Sequence, residues 1–581
     1  MTELSTDLAA ASSRSPTREF SIKAMGCKPS KNALQRTGPP PPPSSSSAQA
    51  SYPGHTQAQQ QQQLANAPAG QLQVPPRPQQ TSNTVTPEQP QQPAGVVAGQ
   101  GTADAWPFIT RRGHVLYEGD VPFRFISFNV PSLLLLEDRP DTDGWIPPDP
   151  YEQHDALLSI AHLGGRVTRS YTLGVGDNYH ITGPRTYNER AFVAMDHALA
   201  IARNVRVRLI IPLINNHWGS DDGGKTDPSV CSFGNYAQLA RMRGKKPSQF
   251  WSDPEINEDF KHIISTVLNR VNTVNGIRYG DDPTILAWQI GNELGGWKGA
   301  DPPSQWTLAM TAHIRSLAPN TLVADGSIGG LKSKDKLSKE TLSSPVGPDI
   351  FVNHYYHGGE DVKRLSKDAA HIAGKHGKVF IVGEFGFAGT GVYGQMYESM
   401  LRNNLVSGSL MWSLRYHSMF GGFYVHSEEG GKYWSYHNPG FPTGNHGFCF
   451  EEIDVVPQVR HYALAIQGLD PGSVPHPVPH PPPQLLPDIA PNWIRFRGSA
   501  SAASYHVWRG TTQPGGGAIQ WEPQPVGINI TDNKCSGSTL WQDKSAVAGV
   551  PYHYAVQAVG VSGATSAWSE AVGPVWAGNC S

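Results

Sequence analysis

The feature that most constrains this chain is an alternation, repeated along its central part, of short apolar runs with stretches whose apolar residues recur at helical spacing. "FRFISFN" (123–129) reads as a first strand and "RVTRSYT" (166–172) as a second, with the helical run "QHDALLSIAHL" between them. "NERAFVAMDHALAIARN" gathers its apolar positions on one helical face, and "VRLIIPLIN" (207–215) follows, apolar enough to be covered on both sides. A helix "EDFKHIISTVLNRVNTV" leads to the strand "ILAWQIGNE" (285–293), and "SQWTLAMTAHIRSL" leads to "LVADGS" (322–327). The last third supplies "IFVNHYY" (350–356), a helix near "DVKRLSKDAAHIAGKH", "KVFIVGEFG" (378–386), a short helix, and "GSLMWSLRY" (408–416), closed by "VPQVRHYALAIQGL".

Eight strands separated by helices predict an α/β protein built on a (β/α)8 TIM barrel. A doubly wound open sheet is the competing architecture, but the glycine fingerprint of a nucleotide site does not follow the first strand. In a barrel the C-terminal strand ends share one face, so the polar residues that close each strand converge there. They are Asn129, Arg169, Asn215 with His217, Asn292 with Glu293, His354 with Tyr356, Glu384 and Trp412.

An acidic side chain at the end of a packed apolar strand is costly unless it has a partner or a task. Two such groups, Glu293 and Glu384, facing across a cleft suit glycoside cleavage: one protonates the leaving oxygen, and the other attacks the anomeric carbon or directs water at it. Each residue also has an ordinary structural reading. A glutamate, or Arg169, at a strand end can simply be salt-bridged, Trp412 can be core, and His217, His354 and His357 can be hydrogen-bonded histidines, which is the preferred reading for His357. No metal or cofactor is expected, because neither an H-E-x-x-H run nor a carboxylate loop occurs.

"WQIGNE" on the fourth strand, "NHYY" on the sixth, "VGEFG" on the seventh, Arg169 on the second and Trp412 on the eighth together resemble glycoside hydrolase family 5, within the large retaining clan of barrels. "RRGHVLYEGDVPFRFISFN" and the stretch ending in "GDDPTILAWQIGNE" are similar to its endo-β-1,4-mannanases. The resemblance spans residues 105–469. It implies that Glu293 is the general acid/base and Glu384 the nucleophile, and that Asn292 binds the sugar beside the reacting carbon. It further implies that Arg169 and Tyr356 keep Glu384 charged, that His354 completes the network, that Trp412 stacks under the sugar, and that Asn129 and His217 contact it. Two departures bear on the substrate subgroup. Leu294 stands where the family has proline after the acid/base, and "GNE" replaces the commoner "ANE". A β-glucanase, an exo-acting β-mannosidase or β-glucosidase, and a catalytically idle carbohydrate-binding barrel remain as alternatives.

Four further stretches complete the expectation. Residues 1–104, rich in Pro, Gln and Ser, offer few large apolar side chains to offset backbone ordering and are expected to be disordered. The loop after the eighth strand, "HSMFGGFYVHSEEGGKYWSYHNPGFPTGNHGF", is long and rich in rings, and Trp434, Tyr436 and His437 are expected to wall the cleft. Residues 470–488 read as a stiff Pro-rich linker. Residues 489–581 alternate like a β-sandwich, resemble a fibronectin type III module, and are expected to be a spacer or a weak glycan contact. Cys535 and Cys580 share that last region and form the favoured disulfide pair.

A formal net charge of -2 leaves no electrostatic footprint for nucleic acid, and no apolar run is long enough to insert in a membrane. A monomer acting on a polysaccharide is expected. The family resemblance places it outside the cell, whereas the first residues lack the apolar core of a secretory signal.

Overall fold

All eight expected strands form, and they close on one another in a parallel barrel. The structure, a computed structural model, describes residues 106–139, 146–216, 234–296, 301–327, 338–428, 432–433, 435–442, 451–512 and 517–577. The expected tail, His217, Trp434 and Cys580 lie outside the described residues.

The barrel strands are β1 (Phe125–Val130), β2 (Val167–Ser170), β3 (Arg208–Pro212), β4 (Ile285–Gln289), β5 (Leu322–Ala324), β6 (Ile350–Tyr355), β7 (Val379–Phe385) and β8 (Gly408–Met411). Each pairs with the next and β8 pairs back with β1, so no edge is left open. Every residue of these strands is buried, polar ones included, as a sheet covered on both faces requires. The helices that cover it are α1 (Pro150–His162), α2 (Glu189–Asn204), α3 (Tyr236–Met242), α4 (Pro254–Asn269), α5 (Ser304–Leu317), α6 (Lys339–Ser343), α7 (Gly359–Ala369), α8 (Thr390–Arg402) and α9 (Glu452–Ala465). Two short ones, α3 and α6, were not expected. The start of α1 shows how locally such boundaries are set: Asp149 accepts from the backbone of Tyr151, while Glu152 reaches back to the backbone N–H of Asp149.

Inside the barrel, Phe125, Val167, Ile210, Leu286, Ile350, Val352, Ile381 and Leu410 form a separate core. Ile109, Leu116 and Phe123 join it from a three-stranded antiparallel sheet over residues 109–123. Phe123 adjoins the first residue of β1, so this sheet plugs the N-terminal end of the barrel. The opposite end, where the strands finish, is left for function.

The C-terminal region centres on two long antiparallel strands, Ala502–Thr511 and Pro551–Gly560, flanked by four shorter ones. Its own core contains Leu485, Ile494, Phe496, Tyr505, Val507, Tyr554 and Val556. The Pro-rich stretch before it is fastened at both ends. Arg460 on α9 donates to the carbonyls of Val474 and Pro475, and Gln484–Leu485 already pairs with Phe496–Arg497. Among the described residues, no helix is long and apolar enough to cross a membrane.

Candidate active site

At the C-terminal mouth, β7 delivers Glu384 and the segment after β4 delivers Asn292 and Glu293. The regular β4 ladder ends at Gln289, with single bridges continuing it at Asn292 and Leu294, and Glu293 between them adopts φ 52°, a left-handed conformation that a residue with a side chain holds only under constraint. The constraint is visible. The Asn292 backbone donates to Ile214 and the Leu294 backbone to Gly326, pinning both flanks of Glu293 to the neighbouring strand ends. On β6 the register shifts between Asn353 and His354, which sets His354 opposite Glu384.

The two carboxylates share a neighbour. His354 Nδ1 lies 2.7 Å from Glu293 Oε1 and 3.3 Å from Glu384 Oε2, and these three groups fall within 4.8 Å of one another. Glu384 also accepts from Arg169 Nη1 at 2.7 Å and from the Tyr356 hydroxyl at 2.7 Å. Its surroundings therefore carry a fixed cation and a phenol donor, whereas Glu293 meets the imidazole. Both glutamates are buried, but neither completely.

Arg169, wholly buried, distributes its guanidinium over several oxygens: Gln289 Oε1 at 2.8 Å, Asn292 Oδ1 at 2.6 Å and Asn129 Oδ1 at 3.5 Å besides Glu384. Asn292 donates onward to Asn215, which donates to the Tyr171 hydroxyl, and the Tyr171 ring meets Trp412 edge-on at 5.9 Å. Eight expected residues thus come together around one cleft: Arg169, Asn215, Asn292, Glu293, His354, Tyr356, Glu384 and Trp412. Gln289 and Tyr171 were missed. Gln289 had a signal, a polar side chain inside an otherwise apolar run.

Three expectations change. Asn129 is fully buried and gives both amide hydrogens to the carbonyls of Gly383 and Leu410, so it braces β7 and β8 and has no surface left for a sugar. Tyr436 and His437 do not wall the cleft. Tyr436 is packed against Phe128 with its hydroxyl 3.3 Å from that of Tyr393, and His437 is held between Glu452 on α9 at 3.0 Å and the Tyr424 carbonyl at 2.8 Å. Both rings are taken up by contacts with the barrel and with Tyr424. His357 is half-exposed beside Arg364, outside this network.

A divalent cation would find carboxylates and an imidazole at Glu293, His354 and Glu384, but Arg169 already supplies the positive charge there. The other grouping of such ligands among the described residues, Glu137, Asp138 and His426, is likewise occupied by Arg415, 2.9 Å from each carboxylate.

The fold and the site define a class: a (β/α)8 barrel with paired glutamates at the ends of its fourth and seventh strands. Residues 178–354 match the family model described as GH family 5 beta-mannosidase-like. That match includes Glu293 and His354 and ends before Glu384. The chain is 28% identical over 372 residues to mannan endo-1,4-beta-mannosidase 1 of Oryza sativa subsp. japonica, covering 55% of this chain and 82% of the relative. Two Arabidopsis thaliana proteins, provisionally named mannan endo-1,4-beta-mannosidase P and 4, are each 30% identical over 258 residues, which covers 42% of this chain. The chain spans 59% of the length of these two relatives. Among solved structures, the endo-beta-1,4-mannanase of Thermotoga petrophila aligns over 78% of this chain and 97% of its own, at 19% identity and a TM-score of 0.48.

Proposed function

We propose that this protein is a retaining glycoside hydrolase that cleaves β-1,4-linked mannan internally. The observation that carries the reading is the closeness of the two buried carboxylates: both reach His354 Nδ1, at 2.7 and 3.3 Å, and one oxygen of each lies within 4.8 Å of one oxygen of the other. Retaining enzymes keep these groups about 5–5.5 Å apart, whereas inverting ones need about 6.5–9.5 Å to seat a water between them.

In the proposed reaction Glu384 attacks the anomeric carbon while Glu293 gives its proton to the departing glycosidic oxygen. The C–O bond breaks and a glycosyl ester forms on Glu384. Glu293, now ionised, takes a proton from water as that water displaces the ester, and both glutamates return to their starting states. Arg169 and Tyr356 stabilise the attacking anion. His354, touching both carboxylates, positions the proton donor against the nucleophile. Asn292 meets the hydroxyl beside the reacting carbon, and Trp412 lies under the ring.

The test is incubation with mannan, glucomannan, cellulose and laminarin, with Glu384→Ala as control. Manno-oligosaccharides released by the wild type alone support the reading. Glucose-based products would transfer it to a β-glucanase, mannose alone would make it exo-acting, and binding without turnover would leave a carbohydrate-binding barrel.

A further inference from the structure

The loop that follows β8 is held from two sides. On the barrel side, the Leu414 backbone donates to Asn129, that of Arg415 to Tyr436, and that of Tyr436 to Ser413, which fixes the segment just past Trp412. On the other side the C-terminal region takes hold. The Phe423 backbone donates to the Lys534 carbonyl at 2.8 Å, Ser536 donates to the Phe423 carbonyl at 2.8 Å, and Gly537 donates to Gly421 at 3.0 Å. Ser418 and Ser536 bring their hydroxyls to 2.7 Å.

Between these contacts sits His417, five residues after Trp412 and almost wholly buried. Its Nδ1 lies 2.9 Å from Asp155 on α1, its Nε2 lies 2.9 Å from Asp532 in the C-terminal region, and its backbone N–H donates to the other oxygen of Asp155 at 3.0 Å. Both aspartates are buried. One imidazole thus joins a barrel helix, the loop after β8 and the C-terminal sheet. A buried charged group of this kind is costly unless every partner is in place, so the arrangement is all-or-none and locks the loop in one position.

We propose that the C-terminal region is part of the active-site apparatus, and that Asp532 is a positioning residue which, through His417, fixes the loop carrying Trp412 under the substrate. The kinetic part of this proposal rests on the mannanase reading; the tether itself does not. The role goes beyond that of a spacer or an independent glycan contact, because a spacer has no need to share a buried ion cluster with the loop that follows Trp412.

The experiment uses the full chain with Asp532→Ala and Asp532→Asn, the second keeping the side-chain shape should the first fail to fold. Hydrogen exchange of the amides of residues 413–424 is measured beside mannan kinetics. The expected result is at least a tenfold faster exchange in that segment and a several-fold rise in KM that exceeds the change in kcat, with Asn intermediate. Exchange within twofold of wild type overturns the tether, and faster exchange with unchanged kcat/KM overturns the positioning role. If the wild type leaves mannan intact, the mannanase reading falls alone, and the exchange measurement still decides whether Asp532 holds the loop.

Discussion

Arg169 is the side chain around which the site is organised. A single planar guanidinium meets Glu384, Asn292, Gln289 and Asn129 at once, and a lysine offers one compact charge in place of that fork. Arg169→Lys is therefore expected to lower kcat by about 10- to 100-fold, the equivalent of about 1.5–3 kcal/mol for a charged hydrogen bond, with KM little changed; steady-state kinetics on mannan check it. The two glutamates are separated by a different experiment. Glu293→Ala is expected to lose about 10²–10⁴-fold on mannan but to recover on an activated aryl mannoside with azide, giving the β-azide, whereas Glu384→Ala with azide gives the α-azide. Anomers assigned the other way round would exchange the two roles. The two departures from the family pattern are also coupled at this scale. A Cβ on Gly291 would sit 2.9 Å from Leu294 Cδ1 and 2.8 Å from the Ile214 carbonyl, so the missing methyl makes room for the leucine. Gly291→Ala is expected to destabilise the fold by about 1–3 kcal/mol. A double-mutant cycle with Leu294→Ala should show coupling between the two positions, but with part of the penalty remaining, because the Ile214 carbonyl cannot withdraw.

At the scale of elements, β7 explains why the barrel was readable. "VFIVGEF" is apolar throughout except for Glu384, and a buried strand with one acidic residue near its end announces both the layer and the task. The same logic exposed Glu293 and His354. It failed where burial comes from distant chain. Asn129 looked like a strand-end ligand, yet its amide is used by the carbonyls of Gly383 and Leu410, partners more than 250 residues away that a local pattern cannot reveal. The loop after β8 misled for the same reason. Two of its glycines, Gly421 and Gly422, allow backbone contact with the C-terminal region. Gly422 has φ +73°, and a Cβ there would meet the Lys534 carbonyl at 2.5 Å. Gly422→Ala is accordingly expected to accelerate proteolysis within residues 413–428 while circular dichroism stays close to wild type. An unchanged cleavage pattern would show that the loop tolerates separation from the sheet.

For the whole molecule, the contact between barrel and C-terminal region has a pH window set by two histidines of opposite sign. Burial alone would push the His417 imidazole down, but Asp155 and Asp532 outweigh it and raise it to about 10. A histidine raised above its unfolded value near 6.5 contributes stability that is complete below that value and is lost as pH climbs through 10. His162, at the end of α1 with Nδ1 3.0 Å from the Ser501 hydroxyl, shows the reverse. Burial pushes it down to about 4, with the pull of Asp155 opposed by His480 and His154. It is neutral in the folded protein and takes up a proton on unfolding, so its contribution falls away as pH drops from about 6.5 toward 4. His180, buried against Phe192 and pushed down to about 3, steepens the same acid side. The carboxylates held below their ordinary range by arginines, such as Asp349 beside Arg111 and Arg315, lose their contribution only below the usual carboxylate value and therefore do not shape this limb. Thermal stability should accordingly peak near pH 6.5 and decline on both sides. Calorimetry from pH 4 to 10 checks the profile, and Asp532→Asn separates the limbs: with one carboxylate gone the His417 imidazole titrates lower, so the alkaline decline, which starts near the unfolded value in either protein, should be smaller in total and level off at lower pH, while the acid limb, to which His162 and His180 contribute, keeps its position. An alkaline limb that does not move in that variant would assign it to a group other than His417.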